Sequence, residues 1–298
     1  MMFGRLLKRS AMALALALGP LLLSLVVVSA VSAQPSAQFV VASDVALNNP
    51  HDLKLSADGK YLFVADVGNS RVAILDPASL SLLGEFGSDH QSGTHDVDFD
   101  AHGRAYVADT HNNRVTIYAM DGVRAQLIGE LAQRFRGPEG ILSHPNGRTY
   151  VAGAWSHNVV VFENGKVIAE LTGLSSPHDL ALAPNGDIWL ADAGNDRMLL
   201  LSPDLVIKRE LKGAPYQFDG VRYQAVLPDG TLIVADKNNH QIKIIAADGT
   251  LQLVLGSGRA ARGAGQFTTP EGVEARGTTL WLSDSGNNRI VKYTLKFN

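Results

Sequence analysis

The chain contains no cysteine. That excludes disulfides, thiolate metal sites, a cysteine nucleophile and a cysteine-linked lipid anchor, so the fold must be held by packing alone. There is no Gly-x-Ser-x-Gly elbow and no Gly-rich phosphate loop, and the glycines fall in turns. Positive charge is in the minority: 26 Lys and Arg stand against 29 Asp and Glu, a formal net charge of -3. Nothing in that balance draws the chain to nucleic acid or to an anionic membrane. Beyond residue 33 no apolar run is long enough to span a bilayer.

Residues 1–33 read as a segment apart from the fold. Arg5, Lys8 and Arg9 form a positive start, 11–28 an apolar run interrupted by Gly19-Pro20, and Val31-Ser32-Ala33 a small-residue cleavage site. We expect a cleaved secretory signal and a periplasmic or secreted protein; an uncleaved anchor is the alternative, since about 18 apolar residues approach the spanning length. Loss of the three cations takes the net charge from -3 to -6.

The remaining residues repeat one sentence six times. An inner pair (His51-Asp52, His95-Asp96, Glu139-Gly140, His178-Asp179, Glu271-Gly272) leads through a turn to a loop residue at 66, 109, 153, 192, 236 and 284. Four loops read Asp-x-x-Asn-x-Arg, with Asp66, Asp109, Asp192 and Asp284 each five residues before an arginine. A period near 44 signals a solenoid or a propeller. Within each repeat four short apolar runs are separated by turns such as Asp58-Gly59, Asn185-Gly186 and Asp229-Gly230, the pattern of a four-stranded antiparallel meander. Such sheets bury their faces by packing radially, which predicts an all-β, six-bladed β-propeller. The last repeat runs out after Ile290 to Phe297, so residues 38–42, within a lead-in spanning 34–49, are expected to supply its outermost strand and close the ring over 50–298.

The passage from Gly256-Ser257-Gly258 through Gly263-Ala264-Gly265-Gln266-Phe267 to Pro270-Glu271-Gly272-Val273 resembles NHL repeats, and the likeness covers 44–298; no Trp-Asp dipeptide points to WD40. The resemblance implies a six-bladed propeller, in agreement with the count. Many such propellers bind a protein, peptide or small molecule on one face, and a monomer is expected.

Strand alternation puts seven of the nine histidines on one face, the top. His51, His95 and His178 open the innermost strands of blades one, two and four, with Glu139 and Glu271 at the same position in blades three and six. This ring of imidazole and carboxylate is a candidate site for zinc or another divalent ion, with structured channel water as the alternative. In blade five the ring position is either Asp219 or Arg222. Asp52, Asp96 and Asp179 lie one residue further in; they are expected to bond the loop backbone, with a calcium-type cation beneath the ring as the alternative. The Asp-x-x-Asn-x-Arg loops are expected to be structural. Where the repeat is broken, ligand contacts are expected instead, on a rim of His111, Trp155, His157, Tyr216, Asp219 and His240.

The Pro-His-Asp openings are similar to those of peptidyl-α-hydroxyglycine α-amidating lyases. That resemblance implies zinc on histidines at positions matching His51, His95 and His178, and an arginine and a tyrosine in the chemistry, for which Arg222 and Tyr223 are the nearest candidates. Two departures stand out. The lyases draw their histidines from alternate blades, and His111 stands where they carry a loop tyrosine. The sequence thus supports a binding module with a metal at the channel mouth, and alternatively a metal-dependent lyase or hydrolase.

Overall fold

The computed structural model describes residues 35–297 as six four-stranded antiparallel sheets, each in meander order except the last. Blade one comprises Pro50–Leu55, Leu62–Asp66, Arg71–Leu75 and Leu82–Phe86. The second strand of each blade is buried along its whole length or nearly so and reads as a continuous apolar run ending in Asp or Gly, such as Leu62–Asp66 (LFVAD) and Leu232–Asp236 (LIVAD). Continuous rather than alternating hydrophobicity is what a strand needs when neighbouring sheets cover both its faces. The core accordingly lies in the wedges between blades, as where Ile233 and Ile244 of blade five meet Leu280 and Val291 of blade six.

The ring closes as expected. Ser36–Ala42 pairs antiparallel with Arg289–Lys296, from Ser36 opposite Lys296 to Ala42 opposite Val291, and is the outer strand of blade six. Its start at Ser36 lies two residues before the predicted one. The proposed signal falls outside the described residues. Among those described, no helix is long and apolar enough to cross a membrane.

Register settles blade five. Val221 stands opposite Asp236 as Pro50 stands opposite Asp66, so Arg222 takes the ring position of His51 and Tyr223 that of Asp52. Asp219 instead matches Asn48, three residues before the ring, and its backbone N–H donates to Asp236 Oδ1 at 2.8 Å as that of Asn48 donates to Asp66 Oδ1.

The inner strands of blades one to five each shift register just past this point, as between Pro50 and Leu53 or between Thr94 and Val97. A bulge breaks the alternation of a regular strand and re-aims its side chains. It lets two successive residues face the channel, giving an upper layer at His51 and a second layer at Asp52. In blades three and six the second-layer residue is Gly140 or Gly272; a Cβ there would collide with the backbone of His178 and Asp179, or of His51 and Asp52, in the next blade.

Candidate metal centre at the channel mouth

The top loops are fixed by two repeated devices. In the first, Asp66, Asp109, Asp192 and Asp284 are fully buried; each accepts a bond from the Nε of the arginine five residues on, at 2.7–2.8 Å, and a backbone N–H from the segment before the ring. Blade five keeps the carboxylate and replaces the arginine, bonding Asp236 to Asn239 and Lys243. Blade three, with Gly153, uses Ser156 Oγ to accept the Arg136 N–H at 2.8 Å.

The second device joins neighbouring blades. Each loop contains one left-handed residue with φ of 50–58°: Ser70, Asn113, His157, Asp196, His240 and Asn288. Its side chain accepts the backbone N–H of the residue two before the ring in the next blade. The pairs are Ser70 with Gly93, Asn113 with Gly137, His157 with Ser176, Asp196 with Gly220, His240 with Thr269, and Asn288 with Asn49, at 2.7–3.2 Å. Six latches encircle the mouth. His157 and His240, expected on the ligand rim, are therefore latch residues whose Nδ1 atoms are already engaged as acceptors.

Three other histidines, His51, His95 and His178, stand at the axis. His51 and His95 meet edge to face with centroids 4.6 Å apart. His95 Nε2 lies 3.9 Å from Glu139 Oε1, and donor atoms of His51, His95 and Glu139 all fall within 4.8 Å of one another. His95 and His178 each donate from Nδ1 to a backbone carbonyl, Gly93 O at 2.9 Å and Ser176 O at 2.8 Å, if that nitrogen carries the proton. The Nε2 lone pair of His95 is then left for a metal, the arrangement that presets an imidazole as a ligand.

His178 nevertheless stands outside the close group. Glu139 lies between it and His95, and His178 Nε2 approaches Glu139 Oε2 at 3.0 Å. Glu271 is occupied likewise: Lys237 Nζ lies 2.5 Å from Oε1 and Arg222 Nε 3.1 Å from Oε2, with His51 Nε2 at 3.8 Å. Of the five ring residues read from sequence, the donor atoms that meet are thus those of two histidines and one carboxylate, from adjacent blades one to three. The residues fit a divalent ion on independent grounds, because His51 Nδ1, Glu139 Oε2 and Glu271 Oε2 are buried without an aligned hydrogen-bond partner. Contact at ion-pair distance without alignment leaves acceptor capacity unused.

Electrostatics favour ligand-ready forms. Burial lowers His51 from 6.5 to about 3, which keeps it neutral. For Glu139, burial is outweighed by His178 and His95, and for Glu271 by His51, Lys237 and Arg222; both carboxyls are held below their ordinary value. Tyr223 is fully buried, its hydroxyl donating to Glu139 O at 3.0 Å across the axis, and burial followed by the nearby carboxylates pushes it well up. It props the Glu139 backbone, and its proton is not available near neutral pH.

Beneath the ring lies a cavity of about 290 Å³ lined by Asp52, Asp96 and Asp179 with Lys54, Asp98 and Glu274. Lys54 pairs with Asp98 at 2.7 Å. Burial raises Asp96 to about 6 and Asp179 to about 8, and burial together with Asp96 raises Asp52 well up. Some of these oxygens bond backbone, but of inner strands and not of the loops as expected: Asp96 accepts from Ile141 N, Asp179 from Leu180 N and Gln224 N. Burial and the proximity of like charges thus favour the protonated forms of these carboxyls.

At the rim, Trp155 is 44% exposed and stacks on His111, with centroids 5.9 Å apart at 19°. Tyr216 is not at the surface: it is buried in the wedge between blades four and five, stacked on Phe218, with its hydroxyl donating to Gly249 O. Asn49 on His51 Nε2 and the Lys54–Asp98 pair were not singled out by sequence as site residues. Lys237 occupies the first loop position after Asp236, where a departure from the repeat was visible.

An NHL repeat model matches residues 174–199 and 225–245. No curated protein matches the sequence. Among solved structures, a streptogramin B lyase is similar at 13% identity and a TM-score of 0.62, covering 89% of each chain. A luciferin-regenerating enzyme is similar at 14% identity and 0.66, covering 87% of this chain and 95% of that one. A protein of unknown function from Bacteroides thetaiotaomicron is similar at 12% identity and 0.70, covering 88% and 77%. At such identities the likeness shows the fold alone. Repeat sequence, six closed blades and these neighbours agree: the chain is a six-bladed β-propeller with NHL repeats at 174–199 and 225–245.

Proposed function

We propose that this protein is an exported propeller that holds a divalent metal ion, zinc in the first instance, on His51, His95 and Glu139 and binds a small ligand or peptide over it at the channel mouth. The observation that carries this reading is the close approach of two imidazoles and one carboxylate, among whose buried atoms His51 Nδ1 and Glu139 Oε2 lack an aligned hydrogen bond. Two nitrogen donors and one oxygen donor suit zinc, and three protein ligands leave a position open to water or ligand. Export rests on the charge and apolar pattern of residues 1–33.

A lyase or hydrolase is the second reading, favoured by the charge placed beside the metal group. Arg222 and Lys237 converge on Glu271, itself 3.8 Å from His51. Two cations on one carboxylate leave positive charge where an anion developing on a bound substrate would be stabilised. A bound ion would supply Lewis acidity there. Tyr223, buried and engaged with Glu139, serves position in this scheme, and Arg222 charge.

The test is elemental analysis and zinc calorimetry of residues 34–298 prepared without a histidine tag. About one transition ion per chain, lost in His51→Ala plus His95→Ala, is the expected result. A folded protein that binds no added zinc would remove the metal from this reading and leave a water-filled mouth.

A further inference from the structure

The top face is paved unequally. In each blade the residue two after the loop residue packs on the segment just before the ring. In blades one, four and six it is Gly68, Gly194 or Gly286, close to the side chain of Asn48, Ser175 or Thr268, and the residue two before the ring also carries a side chain, Asn49, Ser176 or Thr269. In blades two, three and five the residue two before the ring is glycine and a larger residue covers it: His111 faces Gly93, Trp155 faces Gly137 and Asn238 faces Gly220. All six ring-side residues have left-handed φ of 44–68°, so blades one, four and six place side chains in a strained conformation and the other three do not.

In blades two and three this cover is an aromatic ring laid over backbone. A Cβ on Gly93 would come within 2.7–3.0 Å of Cε1, Nδ1 and Nε2 of His111, and one on Gly137 would overlap Cγ, Cδ1 and Cδ2 of Trp155. Near-equal approach to three contiguous ring atoms means contact with the face of each ring. The two rings are nearly parallel, at 19° with centroids 5.9 Å apart, and both residues are exposed. His111 adjoins the metal ligand His95, with centroids 6.1 Å apart. Among the described residues, every other exposed large hydrophobic side chain lies in or beside an outer strand. Trp155 is the exception, placed at the mouth.

We propose that His111 and Trp155 form a stacking floor for a planar aromatic or heteroaromatic group of the ligand, held beside the metal centre. The assignment rests on the metal reading for its neighbour and on the covered glycines for its own geometry. One ring face is covered by glycine backbone while Trp155 remains 44% exposed, and a held, exposed aromatic side chain offers area to a flat partner at low entropic cost. Outer-strand leucines and valines offer no such plane.

The test pairs two zinc-binding probes that differ in the flat group, benzohydroxamate and acetohydroxamate, on zinc-loaded protein. The expected result is benzohydroxamate binding at least about fivefold tighter, a preference that Trp155→Ala abolishes, Trp155→Phe retains, and neither variant converts into a loss of zinc or acetohydroxamate. Equal affinities, or a preference that survives Trp155→Ala, would overturn the floor while leaving the metal site standing. If zinc does not bind, the metal reading fails separately. Benzoate and acetate are then compared on metal-free protein through the fluorescence of Trp155, the other two tryptophans, Trp189 and Trp281, being buried. A benzoate response absent from Trp155→Ala supports the floor, and no response overturns it.

Discussion

Two sets of histidines share the top face and do opposite work. His157 and His240 sit in left-handed loop positions interchangeable with Ser70, Asn113, Asp196 and Asn288, and spend Nδ1 on a neighbouring blade's N–H. His51 and His95 sit on bulged inner strands, where the axis gathers side chains from several blades at once. The lesson is that residue type and face do not define a metal site. What counts is whether the nitrogen is already engaged and whether the fold brings several donors to one point.

The sharpest way to break this comparison is to remove each set in turn. Zinc at about one hundred times its dissociation constant should stabilise the wild type by about 2.7 kcal/mol, a shift in Tm readable by scanning calorimetry. His51→Ala plus His95→Ala should abolish that shift, whereas His157→Ala plus His240→Ala should keep it. A zinc response lost in the second pair would place the metal at the loops and reverse the assignment.

A second prediction uses pH. Asp179 is raised from 3.8 to about 8 by burial and then by Asp96. Its folded value lies above its unfolded one, so the stability it contributes is present below about pH 4 and is lost as pH rises through about 8. His51, lowered from 6.5 to about 3, has the opposite sign: its contribution is present above about 6.5 and is lost on acidification. From pH 6.5 to 8.5 the carboxyl term is therefore the one still changing. The Tm should fall over that interval, and Asp179→Asn should flatten the fall. A flat profile in the wild type would mean that burial does not hold Asp179 protonated.

The smallest effect belongs to the latches. Each is one hydrogen bond between blades, so His157→Ala or His240→Ala should cost about 1 kcal/mol by urea denaturation. His157→Asn should recover most of that, since Asn113 and Asn288 make the same bond. A loss much greater than this, unrescued by asparagine, would assign the histidine a role beyond the latch.

Much of the fold was legible because the repeat period and the turn residues act locally. Asp58-Gly59 and its counterparts fix hairpins, and the apolar run before Asp66 fixes a covered strand, wherever the chain goes next. The upper ring was legible through repeat symmetry, which put His51, His95, Glu139, His178 and Glu271 at one level. Symmetry could not say which of them meet. That depends on Glu139 leaning between His95 and His178, and on Lys237 reaching Glu271 from a loop of blade five. The choice of Arg222 over Asp219 needed the strand register. Tyr216 misled because a loop aromatic outside the repeat has the same letters whether it faces solvent or fills a wedge. The covered glycines were written in the sequence, but their meaning needed the knowledge that two positions 18 residues apart, such as Gly93 and His111, face one another.

The closing strand carries a topological consequence. With Ser36 opposite Lys296, the ring has no privileged starting point, and its beginning is merely a nick in the outer edge of blade six. The turn at Gly165 between Asn158–Glu163 and Lys166–Leu171 has open space around it. Opening the chain there and joining 36 to 296 through a short linker should preserve the propeller, its latches and its metal centre. Blade three would become the clasped blade, and the order of synthesis would change without changing the ring.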